Sequence, residues 1–233
     1  MEKNSPRQRS SGTLCLTFDD RTFTSWEKAL PLFSRYNAHV TFFVCGEIDA
    51  AVLEFMEKVQ AAGHSVGLHA LNHAIAVDYM KEHGYGAYTA DEVMPQLEIC
   101  RKHGIKIRSF AYPCSNFLPE TNKELFENFD FLRTNCKTIL SPGGSPAETD
   151  GFFNRAIGEK HLFCGFPASG RFDADMLKKA MKRAAAENAV IVFYAHDITS
   201  EIAPSHHIAF SQLEDLLEYA ASIGLACCGM NEL

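Results

Sequence analysis

The chain has 233 residues, of which 46% are hydrophobic, 11% aromatic and 22% charged, with no repeated or low-complexity stretch; that is enough to bury one large core. A formal net charge of −7 and a pI near 5.8 exclude the clustered basic face that nucleic acid requires. No segment approaches the roughly 18 consecutive apolar residues of a membrane span.

The basic residues Lys3, Arg7 and Arg9 lead into a polar run rather than the apolar segment of an export signal. Residues 1–12 therefore read as a flexible N-terminal segment and 13–233 as a single domain, with a cytoplasmic location expected. The eight cysteines, at positions 15, 45, 100, 114, 136, 164, 227 and 228, form no Cys-x-x-Cys pair, and several lie in apolar runs. They read as reduced, buried hydrophobes, which agrees with that location. The oligomeric state leaves no mark on the sequence.

In chain order, short apolar β-rich runs alternate with amphipathic stretches, the pattern of repeated β/α units. Strands are expected near Leu14–Phe18, His39–Val44, Ser65–Leu68, Ile107–Ala111, Phe131–Thr134, Val190–Tyr194 and Leu225–Cys228. Helices are expected near Trp26–Arg35, Ala50–Ala62, Ala90–His103, Pro119–Phe129, Asp173–Asn188 and Gln212–Ile223. Gly63, Gly104 and Gly224 each stand just past a periodic segment, where glycine stops a helix. Asp49 and Asp91 read as helix-start residues. The Gly-, Pro- and Ser-rich stretch from Leu140 to Gly170 reads as a long irregular loop.

Four strand ends carry unusual chemistry. The first apolar run closes on Asp19-Asp20, a pair equally consistent with helix capping and with a site at the strand tips. After Ser65–Leu68 come His69 and His73, which would share one face of a helix at a spacing that suits a single metal ion. Ser109-Phe110-Ala111-Tyr112-Pro113 ends a strand on a proline, and the Val190–Tyr194 run ends in Ala195-His196-Asp197. Taken singly, each has an ordinary structural reading: a chance pair of histidines, a strand stop, a core-edge histidine. His206 and His207, in the loop beyond, could reach the same pocket but read first as a solvated pair.

Together and in this order the four elements resemble the polysaccharide deacetylase family (NodB homology, carbohydrate esterase type) over about residues 13 to 228, including the run Ala38–Val44 as a second strand. The resemblance implies a deformed (β/α)7 barrel of α/β class in which Asp20, His69 and His73 hold one divalent metal, zinc first, with cobalt or nickel as alternatives. Two imidazoles and a carboxylate with an open position also suit a catalytic zinc on general grounds. It further implies that Asp19 is the general base, His196 the general acid, and a backbone N–H after Pro113 an oxyanion donor, in a hydrolysis without covalent intermediate. No Gly-x-Ser-x-Gly elbow offers a serine alternative.

The implied activity is N-deacetylation of an N-acetylated sugar or glycan. Two other readings stay open: hydrolysis of a non-sugar amide or formamide, and a metal- or carbohydrate-binding pseudoenzyme on the same fold. Retention of both Asp19 and His196 argues for an enzyme. The chain departs from the family pattern at several points. Arg21-Thr22 replaces Gly-Pro after the aspartates, and Ala70 replaces a hydroxyl residue. Ala111 stands where many members have an arginine that pairs with the base, leaving Arg21 and Arg108 as candidate substitutes. The supporting Asp and Trp motif behind the catalytic histidine is missing, since the only tryptophan, Trp26, lies near the start of the chain.

Overall fold

Seven parallel strands close on themselves in the computed structural model, which describes residues 12–135, 145–202 and 205–233. They are β1 (Thr13–Asp20), β2 (Thr41–Val44), β3 (Ser65–Leu68), β4 (Ile107–Ala111), β5 (Phe131–Thr134), β6 (His161–Pro167) and β7 (Val190–Ala195). Each pairs with the next, and β7 returns to β1 with Thr13 opposite Val190 and Phe18 opposite Ala195. The expected (β/α)7 barrel is therefore the fold.

Helices α1 (Phe23–Arg35), α2 (Ala50–Ala61), α3 (Ala76–His83), α4 (Met94–Lys102), α5 (Pro119–Leu125), α6 (Ala174–Ala186) and α7 (Phe210–Ser222) flank the barrel. A π-helical turn, Thr89–Val93, runs directly into α4. Strand alternation sorts the side chains into two cores. Leu14, Leu16, Phe18, Phe42, Leu68 and Phe110 point outward against the helices, while Cys15, Phe43, Ala111, Phe131, Phe163 and Val192 fill the barrel.

The turn Met230–Glu232 stoppers the end of the barrel where the strands begin. Met230 N donates to Thr41 Oγ1 at 2.8 Å and Asn231 N to Ser65 Oγ at 3.0 Å. The opposite end stays open, and the site lies there.

The order of elements departs from expectation in three places. The seventh barrel strand is β6, inside the stretch read as an irregular loop. Leu225–Cys228 instead yields the short β10 (Ala226–Cys227), which pairs with the start of β1 outside the ring. Two-residue strands β8 (Ile198–Thr199) and β9 (Ile208–Ala209) bracket the loop that carries His206 and His207, and α3 was not expected at all. Helix ends follow the expected chemistry: Asp49 accepts from Val52 N at 2.9 Å, and Gly63 and Gly224 adopt φ of 90° and 68°. Asp91, however, sits within the π turn and accepts from Tyr79 Oη at 3.1 Å.

The reduced state expected for every cysteine fails at Cys164, which is disulfide-bonded. Cys136 lies outside the described residues. Cys45, Cys100, Cys114 and Cys227 carry thiols, and burial pushes the Cys100 thiol up to about 12.

Candidate active site

The end of β1 delivers both aspartates to one place by a change of backbone hand. Alternation points Asp19 into the barrel, where it is 3% exposed. Its neighbour would face outward on a regular strand, but Asp20 adopts φ 85° and turns back over the barrel mouth. Aspartate is among the few residues that tolerate this region.

The segment after β3 brings two imidazoles to Asp20. Helical spacing was expected to align them, but no helix forms between residues 69 and 73. The segment is a loop in which Ala70 (φ 64°) and His73 (φ 54°) are left-handed, and this fold, not a helix pitch, converges the rings. His69 Nε2 and His73 Nε2 lie 3.7 and 3.6 Å from Asp20 Oδ1. One ligand atom from each of the three residues falls within 4.8 Å of the others. His69 Nδ1–H donates to Ala111 O at 2.8 Å, which leaves Nε2 unprotonated and turned toward Asp20. Burial drives the His69 pKa down, holding the ring neutral as a ligand must be. The side chains of Asp20 and His73 are about 40% exposed, so the trio is closed by protein on one side and open on the other.

Arg133, which the sequence reading passed over, is the arginine of the site. It rises from β5 inside the barrel and its Nη2 donates to Asp19 Oδ2, in a pair buried to within a few per cent. The guanidinium also lies over the rings of Tyr194 (4.9 Å) and Phe43 (5.4 Å). Room for it comes from two small residues. Ala111 is its register partner on β4, and a Cβ at Gly165 would stand 3.0 Å from Arg133 Cδ. Neither residue proposed for this role fills it: Arg21 donates to Cys45 O and Glu47 O at 2.8 and 2.7 Å, and Arg108 binds Asp130 and Asn231 near the stoppered end. Burial alone would raise the Asp19 carboxyl, but Arg133, with His69 and His196 nearby, holds it below the usual carboxylate value. Among the described residues Asp19 Oδ1 has no hydrogen-bond partner.

His196 follows β7 and is fixed by its own backbone. Its N–H and its Nδ1–H both donate to His206 O, at 2.9 and 3.2 Å. Its carbonyl accepts from Trp26 Nε1 at 2.8 Å and Thr22 Oγ1 at 3.4 Å. Trp26 therefore does support the histidine, from α1. The fully buried Trp26 ring reaches it through space, a link no sequence motif displays. His206 is exposed and His207 partly so, as read from the sequence, and both line a cleft of about 420 Å³ with Asp19, Asp20, His69 and His196. Tyr112, Cys114 and Ser115 form another wall, where left-handed Cys114 and Ser115 (φ 51° and 61°) fold the chain after Pro113 over the rim.

Comparison with known proteins agrees with this architecture. The polysaccharide deacetylase family model matches residues 7–128. No curated protein sequence matches the chain. Among solved structures, a family 4 carbohydrate esterase from Streptomyces lividans in complex with acetate is 18% identical, with 94% of this chain and 92% of that one covered and a TM-score of 0.58. The chitin deacetylase from the fungal pathogen Colletotrichum lindemuthianum is 16% identical, covering 96% and 88% with a TM-score of 0.58. A Streptococcus mutans CE4 esterase is 17% identical, covering 94% and 86% with a TM-score of 0.59. With a family match over more than half its length and the barrel that those structures share, the chain belongs to the polysaccharide deacetylase family.

Proposed function

We propose that the protein is a metal-dependent amide hydrolase that removes the acetyl group from an N-acetylated sugar or glycan. The carrying observation is that Asp19, Asp20, His69, His73 and His196 face one open cleft. The donor set fits a divalent ion: one carboxylate oxygen and two imidazole nitrogens, the buried one with its tautomer fixed by Ala111 O. The buried oxygen Asp19 Oδ1, without a protein donor, fits a base whose partner is a water. Zinc is the ion of choice for such donors, with cobalt or nickel as alternatives. When bound it would supply Lewis acidity toward the acetamide carbonyl.

The remaining steps belong to side chains. Asp19 Oδ1 takes a proton from the water that adds to the carbonyl carbon, and Arg133 keeps that carboxylate ionised and fixed. The developing oxyanion needs a donor, and the Cys114 amide on the rim supplies one. His196, its Nδ1–H held by His206 O, acts as the doubly protonated imidazolium: it gives its Nε2 proton to the amide nitrogen as the C–N bond breaks, releasing acetate and an amine and leaving the ring neutral. The cleft is apolar on its Tyr112 and Tyr194 walls and polar at the histidines, a lining suited to a sugar ring with an attached acetamide.

The test is to load the purified protein with zinc or cobalt and measure acetate release from N-acetylated monosaccharides and oligosaccharides. N-formylated sugars and simple amides run beside them. Turnover of the N-acetyl compounds is expected. One bound metal with no turnover of any of these would leave a binding protein instead.

A further inference from the structure

Glu92 is a carboxylate with 1% exposure, and no lysine or arginine pairs with it among the described residues. Burying such a charge is unfavourable unless its oxygens are satisfied. Both are, and both by the same residue: Asn72 N donates to Oε2 and Asn72 Nδ2 to Oε1, each at 2.7 Å. The Glu92 carbonyl takes a third bond, from Leu71 N at 2.8 Å. All three land at the middle of the loop between His69 and His73.

That loop needs holding. Ala70 and His73 occupy the left-handed region, which is unfavourable for a non-glycine residue and persists only where surroundings enforce it. The two histidines are secured differently. His69 has anchors of its own, N–H to Val44 O at 2.9 Å and Nδ1–H to Ala111 O. His73 is exposed, and what places it in the trio is the 3.6 Å approach of its Nε2 to Asp20 Oδ1 and the contact of its ring with that of His69. The nearest fixed point behind its backbone is Asn72, and Asn72 is fixed by Glu92. The π turn that carries Glu92 continues into α4, whose buried Gln96 reaches Gly46 O at 2.7 Å, and Gly46 N donates to Ala70 O at 3.2 Å. One rigid helix start therefore grips the loop at Leu71 and Asn72 directly and at Ala70 through Gly46. Ala70 has no hydroxyl to make a hold from within the loop.

We propose that Glu92, acting through Asn72, is the positioning residue that sets His73 at ligand distance from Asp20. This rests on the reading of Asp20, His69 and His73 as a metal site.

The test measures zinc affinity by competition with a chromophoric chelator and the cobalt absorption spectrum, for wild type, Glu92→Gln, Asn72→Ala and His73→Ala. Glu92→Gln keeps shape but turns an amide NH2 toward one of the Asn72 donors. Zinc affinity is expected to fall roughly 10- to 100-fold, the usual effect of losing an outer partner of a metal ligand. The cobalt spectrum should shift toward that of His73→Ala, and the melting temperature of the metal-free protein should stay close to wild type. Asn72→Ala, at an exposed position, should show the same changes to a smaller degree and carries the test if Glu92→Gln does not fold. Wild-type affinity and spectrum in whichever of these variants folds would overturn the role of Glu92 while leaving the metal site intact. Absence of metal binding by the wild type would overturn the site itself, and the positioning role with it.

Discussion

Arg133 on β5 and Asp19 on β1 meet inside the barrel, although the two strands are not neighbours in the sheet. Ala111, where the resemblance led to the expectation of an arginine, lies one strand over and in register with Arg133, so in this chain the cation that pairs with Asp19 comes from β5 instead. Removing it as Arg133→Met would leave a buried carboxylate unpaired. A stability loss of about 3–5 kcal/mol is expected, with a fall in turnover and retention of the metal. The double variant Arg133→Met with Ala111→Arg should recover part of both losses. Chemical denaturation and steady-state rates check this, and a double variant no better than Arg133→Met would show that position 111 cannot reach Asp19.

Asp19 and Asp20 are adjacent but should not be interchangeable. Asp20→Asn is expected to weaken zinc binding directly. Asp19→Asn should keep the metal and lose about two to four orders of magnitude in rate, the usual scale for a general base. Metal content and turnover measured side by side decide it, and full activity in Asp19→Asn would remove it from proton transfer.

For His196, the expected outcome of substitution by alanine is loss of most activity with metal retained. Trp26→Phe removes the Nε1 donor to the His196 carbonyl together with part of a buried ring that packs on Phe23, Phe42 and Phe55, so the protein should lose stability. The effect on the reaction should be smaller than that of His196→Ala, about 1 kcal/mol or several-fold in rate, with little change in metal affinity. A Trp26→Phe enzyme as fast as wild type would mean that Thr22 alone holds the strand tip.

Stability should depend on pH through a histidine remote from the cleft. His64 packs on Phe33 and Phe42 and accepts from Val40 N at 3.2 Å. Burial, with His39 adding to it, lowers its pKa to about 4. The unfolded chain then binds a proton that the folded chain refuses, so this contribution is complete above about pH 6.5 and is lost as pH falls toward 4. It amounts to about 3 kcal/mol at most. His64→Gln should flatten the slope of unfolding free energy across that window relative to wild type. His69 titrates in the same direction, but it is present in both proteins and cancels in the comparison. An unchanged slope would show that the folded protein protonates His64 as readily as the unfolded chain does.

The candidate site residues were legible because they sit at strand ends or in the segments that follow them, and a parallel barrel gathers strand ends at one mouth. Arg133 lies next to the end of β5, yet Phe-Leu-Arg-Thr reads as an ordinary run, and only closure of the ring shows that Arg133 points at Asp19. A salvageable signal existed in the small residues Ala111 and Gly165, which make sense only if something long passes between them. Strand β6 escaped notice because Gly165 and Pro167 are strand breakers in most settings; here the glycine makes room for Arg133 and the proline is the last residue of the strand. The His69 to His73 spacing suggested a helix, whereas left-handed Ala70 and His73 do the work, and such conformations are enforced from outside, by Glu92 among others.

The ring is joined by β1 and β7, whose paired residues stand more than 170 positions apart, as Thr13 and Val190 do. During synthesis β1 therefore waits with one edge unpaired until β7 has emerged, and Asp19 cannot face His196 before that moment. Contacts so distant in sequence slow folding, and an unpaired strand edge is where partly folded chains stick to one another. Refolding from denaturant should then recover helical signal well before it recovers a functional cleft, and losses to aggregation should rise with protein concentration in the interval between the two.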